Sequence, residues 1–195
     1  MMKHGTSDRK IGPLTAEEYI EKGKSFHGSM APGLLIGGFM VDYARKNLPG
    51  GEFFDVISET GHCLPDAVQL LTPCTIGNGW LKIIDTGRFA ITFYDKSTGD
   101  GVRVYLDPKK LESWEEINSW FFRLKPKKEQ DSEKLVAEII DAGPEILSHE
   151  PVKVRSDFLA RPHKERIVLC SSCGEAYPEG HGEKCMGCSG LLPFI

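Results

Sequence analysis

Hydrophobic and polar positions follow two different periods along this chain, and the switches between them mark its elements. Leu14-Thr15-Ala16-Glu17-Glu18 opens a helix in which Thr15 is the N-cap and Glu18, three residues on, completes a capping box. The helical pattern runs to about Gly23. After the loop FHGSMAPG, the stretch from Gly33 to about Asn47 carries Leu34, Leu35, Phe39, Met40 and Tyr43 close to helical spacing and stops at Asn47-Leu48-Pro49-Gly50-Gly51. This predicts a buried helix. Gly37 and Gly38 each cost such a helix about 1 kcal/mol in propensity, which points to a neighbouring backbone that approaches closely there.

Phe53 to Glu59 reads as a strand, and Gly61-His62-Cys63 as a polar loop before a second buried helix, Leu64 to Leu71, with Pro65 suited to its first turn. Strand-like runs follow at Trp80–Ile84, Phe89–Tyr94 and Val102–Leu106. They are separated by Asp85-Thr86-Gly87-Arg88 and by Lys96 to Gly101, and an antiparallel meander is the simplest pairing. Trp114, Ile117, Trp120 and Phe121 keep helical spacing between Leu111 and Leu124. A further helix is predicted from about Ser132 to Asp141, beyond the solvated connection KPKKEQDSE. Short strands and helices in this order predict an α+β domain, with helices packed on a sheet of about four or five strands. From His149 to Arg166 the chain turns polar and basic and includes Pro151 and Pro162. The expected division is therefore near residue 150, with a core over 1–150 and a linker plus small module over 151–195.

A length of 195 residues with 40% hydrophobic content allows one full core and a small appendage. The formal net charge of -4 gives no electrostatic reason to expect nucleic acid or an anionic lipid surface as partner. The first ten residues, MMKHGTSDRK, contain no apolar h-region. The most apolar stretch, Met30 to Val41, is broken by glycines and too short to span a bilayer, so a soluble, cytoplasmic protein is expected.

The strongest chemical signal lies near the end. Cys170 and Cys173, then Cys185 and Cys188, form two C-x2-C pairs separated by 11 residues. Zn²⁺ takes four tetrahedral ligands, and each pair can bend around one ion with backbone amides turned to its thiolates, so one structural Zn²⁺ is expected. Free thiols, a redox pair or an iron–sulfur cluster are the competing readings. A segment this short buries too little apolar area to fold alone, and the metal is expected to supply its folding energy. A hairpin through Tyr177-Pro178-Glu179-Gly180 would link the pairs, with His181, Glu175, Glu179 and Glu183 as solvated bystanders. Residues 151–195 hold six Lys and Arg against five Asp and Glu, or +1, and four thiolates with one Zn²⁺ bring this to about -1. That opposes a nucleic-acid role, although Lys153, Arg155, Arg161, Lys164 and Arg166 precede the first pair. Leu191, Leu192 and Phe194 would form an apolar tail in water, which favours a homodimer in which the module packs on the partner or on its own core.

Two polar loops of the core hold further candidates. His27-Gly28 and His62-Cys63 lie ahead of the two buried helices, whose N-termini would lower a cysteine pKa and favour an anion or a metal-bound oxygen. Local capping or packing is the alternative account of each pair. FHGSMAPGLLIGGFM is similar to the pattern H-G-H-x-C-P-G followed by an apolar helix. GHCLPDAVQLLTPCTIGNGWLKIID is similar to C-x-x-D-A-[IV]-Q followed by G-C-T-x-G-N-G-x-L. With the trailing four-cysteine module, the chain resembles the formylmethanofuran dehydrogenase FmdE family over roughly residues 20 to 190.

The resemblance implies a thioredoxin-like α+β core with a mixed five-stranded sheet flanked by helices, followed by a treble-clef type zinc finger, in anaerobes with one-carbon metabolism. It places His27, Cys63 and Cys74 at the positions of the family's active site, which holds a metal ion in some members. Ser29 stands where the pattern has its second histidine and Ala31 where it has a cysteine, so two potential ligands are missing. Cys74 also reads as a buried core thiol, and Gly77-Asn78-Gly79 as a turn. Two functions follow. One is an accessory or binding protein with a structural zinc finger and a degenerate cleft for a small ligand, or for a redox or one-carbon enzyme partner. The other is an enzyme that uses Cys63 with His27 for thiol or metal-assisted chemistry.

Overall fold

The computed structural model describes residues 9–50, 53–159 and 165–194. The chain separates into two compact units, Met1–Leu159 and Ala160–Ile195. Strand pairing explains why the first unit continues past residue 150: Leu147–Lys153 form a strand in its sheet rather than a linker.

The first unit opens with a two-residue hairpin, β1 (Lys10–Ile11) and β2 (Leu14–Thr15), which delivers the chain into α1 (Ala16–His27). Both halves of the expected capping box form: the Glu18 N–H donates to Thr15 Oγ1 at 3.2 Å and Glu18 Oε2 accepts from the Thr15 N–H at 2.8 Å. The helix runs through Gly23 and ends one turn later at Gly28, whose φ of 84° gives the left-handed cap. Gly23 is not a stop because it lies buried on the face that meets Leu34, where a Cβ would come within 3.0 Å of a Leu34 methyl.

The second helix, α2 (Pro32–Asn47), is buried continuously from Gly33 to Val41. Its glycine pair admits close neighbours, but these are mainly side chains rather than the expected neighbouring backbone. A Cβ on Gly37 would lie 2.7 Å from the Ala67 methyl, and one on Gly38 would lie 2.7 Å from the Tyr19 ring, so the pair lets two different helices reach the α2 backbone. After β3 (Phe54–Ser58), α3 (Leu64–Leu71) leads to β4 (Leu81–Ile83). Then come β5 (Ala90–Asp95), β6 (Asp100–Leu106), α4 (Glu115–Phe121), α5 (Ser132–Ala142), β7 (Leu147–Lys153) and the single turn α6 (Ser156–Leu159).

The five-stranded sheet has the order β4-β3-β5-β6-β7 and is mixed. β5, β6 and β7 pair antiparallel in succession, and β3 pairs antiparallel with β5. β4 departs from the expected meander: it pairs parallel with β3, through Val56↔Leu81 and Ser58↔Ile83, because α3 carries the chain back as a crossover. Val56, Phe93 and Val102 align across the strands, as do Ile91 and Val104, and they join Leu34–Val41 and the apolar residues of α3 and α5 in one core. Beyond the end of β3, Glu59 is clamped by Arg103, with Nε–Oε1 at 2.5 Å and Nη2–Oε2 at 3.0 Å, and by Arg88 Nε at 2.8 Å. Burial pushes the Glu59 carboxyl up, but the Arg103 hydrogen bonds and the two guanidinium charges outweigh it and hold it below the usual carboxylate range.

The second unit is built on a hairpin of β8 (Ile167–Leu169) and β9 (Ala176–Pro178). The chain reverses between Cys170 and Glu175, with Gly174 at φ 78° donating to the Cys170 carbonyl. The hairpin thus turns at the first cysteine pair, not through Tyr177–Gly180. Tyr177 and Pro178 belong to β9, and Glu179–His181 make a 3₁₀ turn after it. Among the described residues, no helix is long and apolar enough to cross a membrane.

Candidate functional site

The β8–β9 turn presents Cys170 and Cys173, and the loop leaving the 3₁₀ turn presents Cys185 and Cys188. All four Sγ atoms lie within 4.8 Å of one another. A tetrahedral ion with Zn–S bonds of about 2.3 Å requires sulfurs about 3.8 Å apart, and Cys173 Sγ to Cys185 Sγ is 3.8 Å. The donor set and its size fit Zn²⁺. Backbone N–H groups point at the sulfurs, from Cys185 to Cys170 Sγ at 3.5 Å and from Cys188 to Cys185 Sγ at 3.3 Å.

The same geometry splits the thiols. Backbone N–H groups of Cys185, Cys173 and Ser172 draw the Cys170 thiol down to about 6. Cys188 is pushed up to about 12, because its protonated thiol is held by hydrogen bonds to the neighbouring sulfurs of Cys185 and Cys173. Four thiolates at this spacing need a cation among them. His181 and Glu175, Glu179 and Glu183 are exposed, and among the described residues no other group of three or more His, Cys, Asp or Glu donors converges in this way.

The core candidates sit where α1, α2 and α3 meet. Cys63 is the residue before α3, and its backbone is unusual: φ is 57° and ψ is -48°, and the Leu64 N–H reaches back to the His62 carbonyl at 2.6 Å. This is a γ-turn of the positive-φ kind, a conformation that costs a side-chain-bearing residue about 1–3 kcal/mol. The turn directs the half-buried thiol at the start of α2. There Gly33 leaves room for it: a Cβ on Gly33 would lie 3.1 Å from that sulfur, beside the Leu34 N–H, which is bonded to the Ala31 carbonyl at 3.0 Å. The helix N-terminus does not lower the thiol's pKa as its position alone would suggest. Burial first, and the Asp66 carboxylate second, push it above the ordinary cysteine value and outweigh the single N–H.

His27 is the last residue of α1, not part of a loop, and its Nδ1 lies 2.5 Å from Asp66 Oδ2 on the first turn of α3. Asp66 stands three residues after Cys63, which puts both on one side of that helix. Behind them Tyr19, fully buried, donates from its hydroxyl to the Leu34 carbonyl at 2.9 Å. Burial raises its pKa, and the negative charges of Asp66 and Cys63 add to the effect. Tyr19, Gly33 and Leu34 carry no sequence signal of a site, because each reads as an ordinary core position. Asp66 is legible in the sequence as the acid of the C-x-x-D-A pattern, three residues after Cys63.

The other sequence candidates fall outside this cluster of contacts. Cys74 is fully buried with its thiol on the Phe54 carbonyl at 3.6 Å, a core thiol as the apolar context suggested. His62 is exposed, Ser29 is exposed, and Ala31 occupies the N-cap of α2 without a side-chain bond to it. Gly77–Gly79 form a turn closed by Asn78, whose Oδ1 accepts from the Thr75 and Trp80 N–H groups at 3.0 Å each.

Comparison with known proteins gives three findings. Residues 26–155 match the family described as "FmdE, Molybdenum formylmethanofuran dehydrogenase operon", and residues 161–195 match "FmdE treble clef zinc finger". A solved structure of a tungsten formylmethanofuran dehydrogenase FmdE-like protein from Syntrophus aciditrophicus is 54% identical. It superposes with a TM-score of 0.90 over 96% of this chain and 99% of its own. A curated protein of Archaeoglobus fulgidus, described as a probable S-adenosyl-L-methionine-binding protein, is 28% identical over 173 residues. The match covers 79% of this chain, which spans about half (47%) of that relative's length.

Proposed function

The chain belongs to the FmdE family, with the family's treble-clef zinc finger at its end, and from that premise we propose that it is an accessory or binding protein of one-carbon metabolism. In this reading the finger holds one structural zinc per chain, and the cleft at Cys63, His27 and Asp66 receives a small ligand or a redox partner. The observation that carries the reading is the γ-turn at Cys63, since a strained backbone at a side-chain-bearing residue is retained where that side chain has a task. The raised thiol pKa keeps Cys63 protonated at neutral pH and suits contact with a ligand better than nucleophilic attack. A homodimer is part of the proposal: Ile167, Leu169, Leu191 and Phe194 of the finger unit are each at least 60% exposed, an apolar surface that a second copy would cover.

S-adenosyl-L-methionine is the first ligand to test, because the Archaeoglobus relative is described as binding it. Calorimetric titration of the full chain should give saturable binding that His27→Gln or Cys63→Ser weakens. Equal affinity in all three proteins would place the ligand elsewhere, and absence of heat would remove this ligand. The second reading, an enzyme using Cys63 with His27, is favoured by the sharp turn from strand to helix that displays the thiol. The rate of Cys63 alkylation against pH separates the two. Thiolate-like reactivity at neutral pH supports the enzyme, and reactivity that appears only above the ordinary cysteine range supports the binding protein.

A further inference from the structure

The pattern C-x-x-D-A-V-Q at Cys63–Gln69 contains an acid that the proposed function names only as part of the cleft and an amide that it leaves without a role. Their geometry gives them one. His27 Nδ1 is 2.5 Å from Asp66 Oδ2, and the other carboxylate oxygen, Oδ1, lies 3.5 Å from Gln69 Nε2. Gln69 is itself tied on its other side, where its Oε1 accepts from the Ile76 N–H at 3.4 Å. An ionised carboxylate can only accept, so the proton between the ring and Asp66 belongs to Nδ1, and in the neutral ring the lone pair is left on Nε2. Among the described residues, no protein group bonds His27 Nε2.

We propose that Asp66, braced by Gln69, is a positioning residue that locks His27 in the Nδ1–H tautomer and so commits Nε2 as the acceptor offered to whatever occupies the cleft. The inference rests on the reading of this cleft as the functional site, but its structural content is independent of any ligand. Placement supports it. Asp66 sits in the first turn of α3, where the helix dipole stabilises its negative charge, and His27 sits in the last turn of α1. The acid and the ring are thereby carried by helices of the packed core rather than by loops, which is how a carboxylate fixes a histidine's orientation at reactive and ligand-binding sites. A merely structural ion pair would hold the two helices together equally well with either ring nitrogen facing the acid. The tautomer is what distinguishes the two roles.

The test is long-range ¹H–¹⁵N correlation on the full chain labelled at histidine nitrogens, at a pH where His27 is neutral, with its signals assigned by their loss in His27→Gln. Wild type is expected to show Nδ1 as the protonated, pyrrole-like nitrogen and Nε2 as the pyridine-like one. Asp66→Ala should move the ring to the Nε2–H form, and Asp66→Asn, which keeps an acceptor oxygen, should restore the wild-type pattern. A wild-type ring protonated at Nε2, or an Asp66→Ala ring unchanged from wild type, would overturn the proposal. If Asp66→Ala does not fold, the wild-type spectrum alone still decides. Unaltered ligand affinity in His27→Gln would instead remove the functional reading of the cleft while leaving the tautomer result in place.

Discussion

Adding a single methyl to α2 tests the packing between α2 and α3 that positions Cys63. In Gly37→Ala the new Cβ would sit 2.7 Å from the Ala67 Cβ and 3.1 Å from a Leu64 methyl, both on α3. Carbon contacts relax at about 3.5–4.0 Å, so the helices must part by roughly 1 Å. Two effects oppose each other. Alanine improves helix propensity over glycine by about 1 kcal/mol, and overpacking a core contact costs about 1–3 kcal/mol. We expect the clash to win, with a net loss of up to about 2 kcal/mol. Because Leu64 follows Cys63 directly, the shift should also displace the thiol from the α2 N-terminus. Urea unfolding followed by tryptophan fluorescence is a suitable assay, since Trp80, Trp114 and Trp120 all lie in the first unit. Ala67→Gly removes the opposing methyl, so the double mutant should recover part of the loss, with a coupling of about 1–2 kcal/mol. A Gly37→Ala protein stabilised by about 1 kcal/mol, with strictly additive behaviour in the double mutant, would show that α2 and α3 do not meet here.

Three further outcomes are expected. Cys170→Ser or Cys185→Ser should release zinc, measured by a chromogenic chelator, while leaving the tryptophan-detected unfolding of the first unit unchanged; full metal retention would defeat the four-ligand assignment. Tyr19→Phe should cost about 1 kcal/mol in the same urea assay by removing the buried hydrogen bond to the Leu34 carbonyl. For Glu59 the folded-state pKa is depressed, so its contribution to stability is present above the unfolded-state value and is lost as pH falls through the folded value. The difference in thermal midpoint between wild type and Glu59→Gln should therefore be large at neutral pH and shrink on acidification below the ordinary carboxylate range, and a difference that grows there would contradict the clamp.

Much of the fold was legible because its signals are local. The Thr15–Glu18 box and the helix over Leu64–Leu71 follow from residues within one turn, and the glycine pair at 37–38 announced close packing by its propensity cost. The two C-x2-C pairs announced the convergence of four thiols in the same way. What could not be read depends on partners far along the chain. β4 offers only Leu81-Lys82-Ile83, too short a run to show whether it pairs with β3 or β5, and the parallel choice is made by α3 acting as a crossover. β7 was hidden in a polar stretch because it is an edge strand: only Leu147 is fully buried, and Pro151 is tolerated where no ladder partner needs its missing N–H. At the candidate site, the histidine, the thiol and their spacing to helix starts were visible. The His27–Asp66 bond, across 39 positions, and the γ-turn were not, since neither is encoded by a neighbouring residue type.

That γ-turn sets stability against use at one position. Glycine adopts a φ of 57° without the steric penalty that Cys63 bears. Cys63→Gly should therefore tighten the folded state, offset in part by the lost sulfur contacts and the freer unfolded chain. A selection for thermal resistance alone would drift toward glycine at residue 63 and lose the thiol, whereas a selection for a task that uses the thiol would hold the cysteine and accept a softer protein. The direction in which the chain moves under each pressure is a readout of whether the thiol has a task.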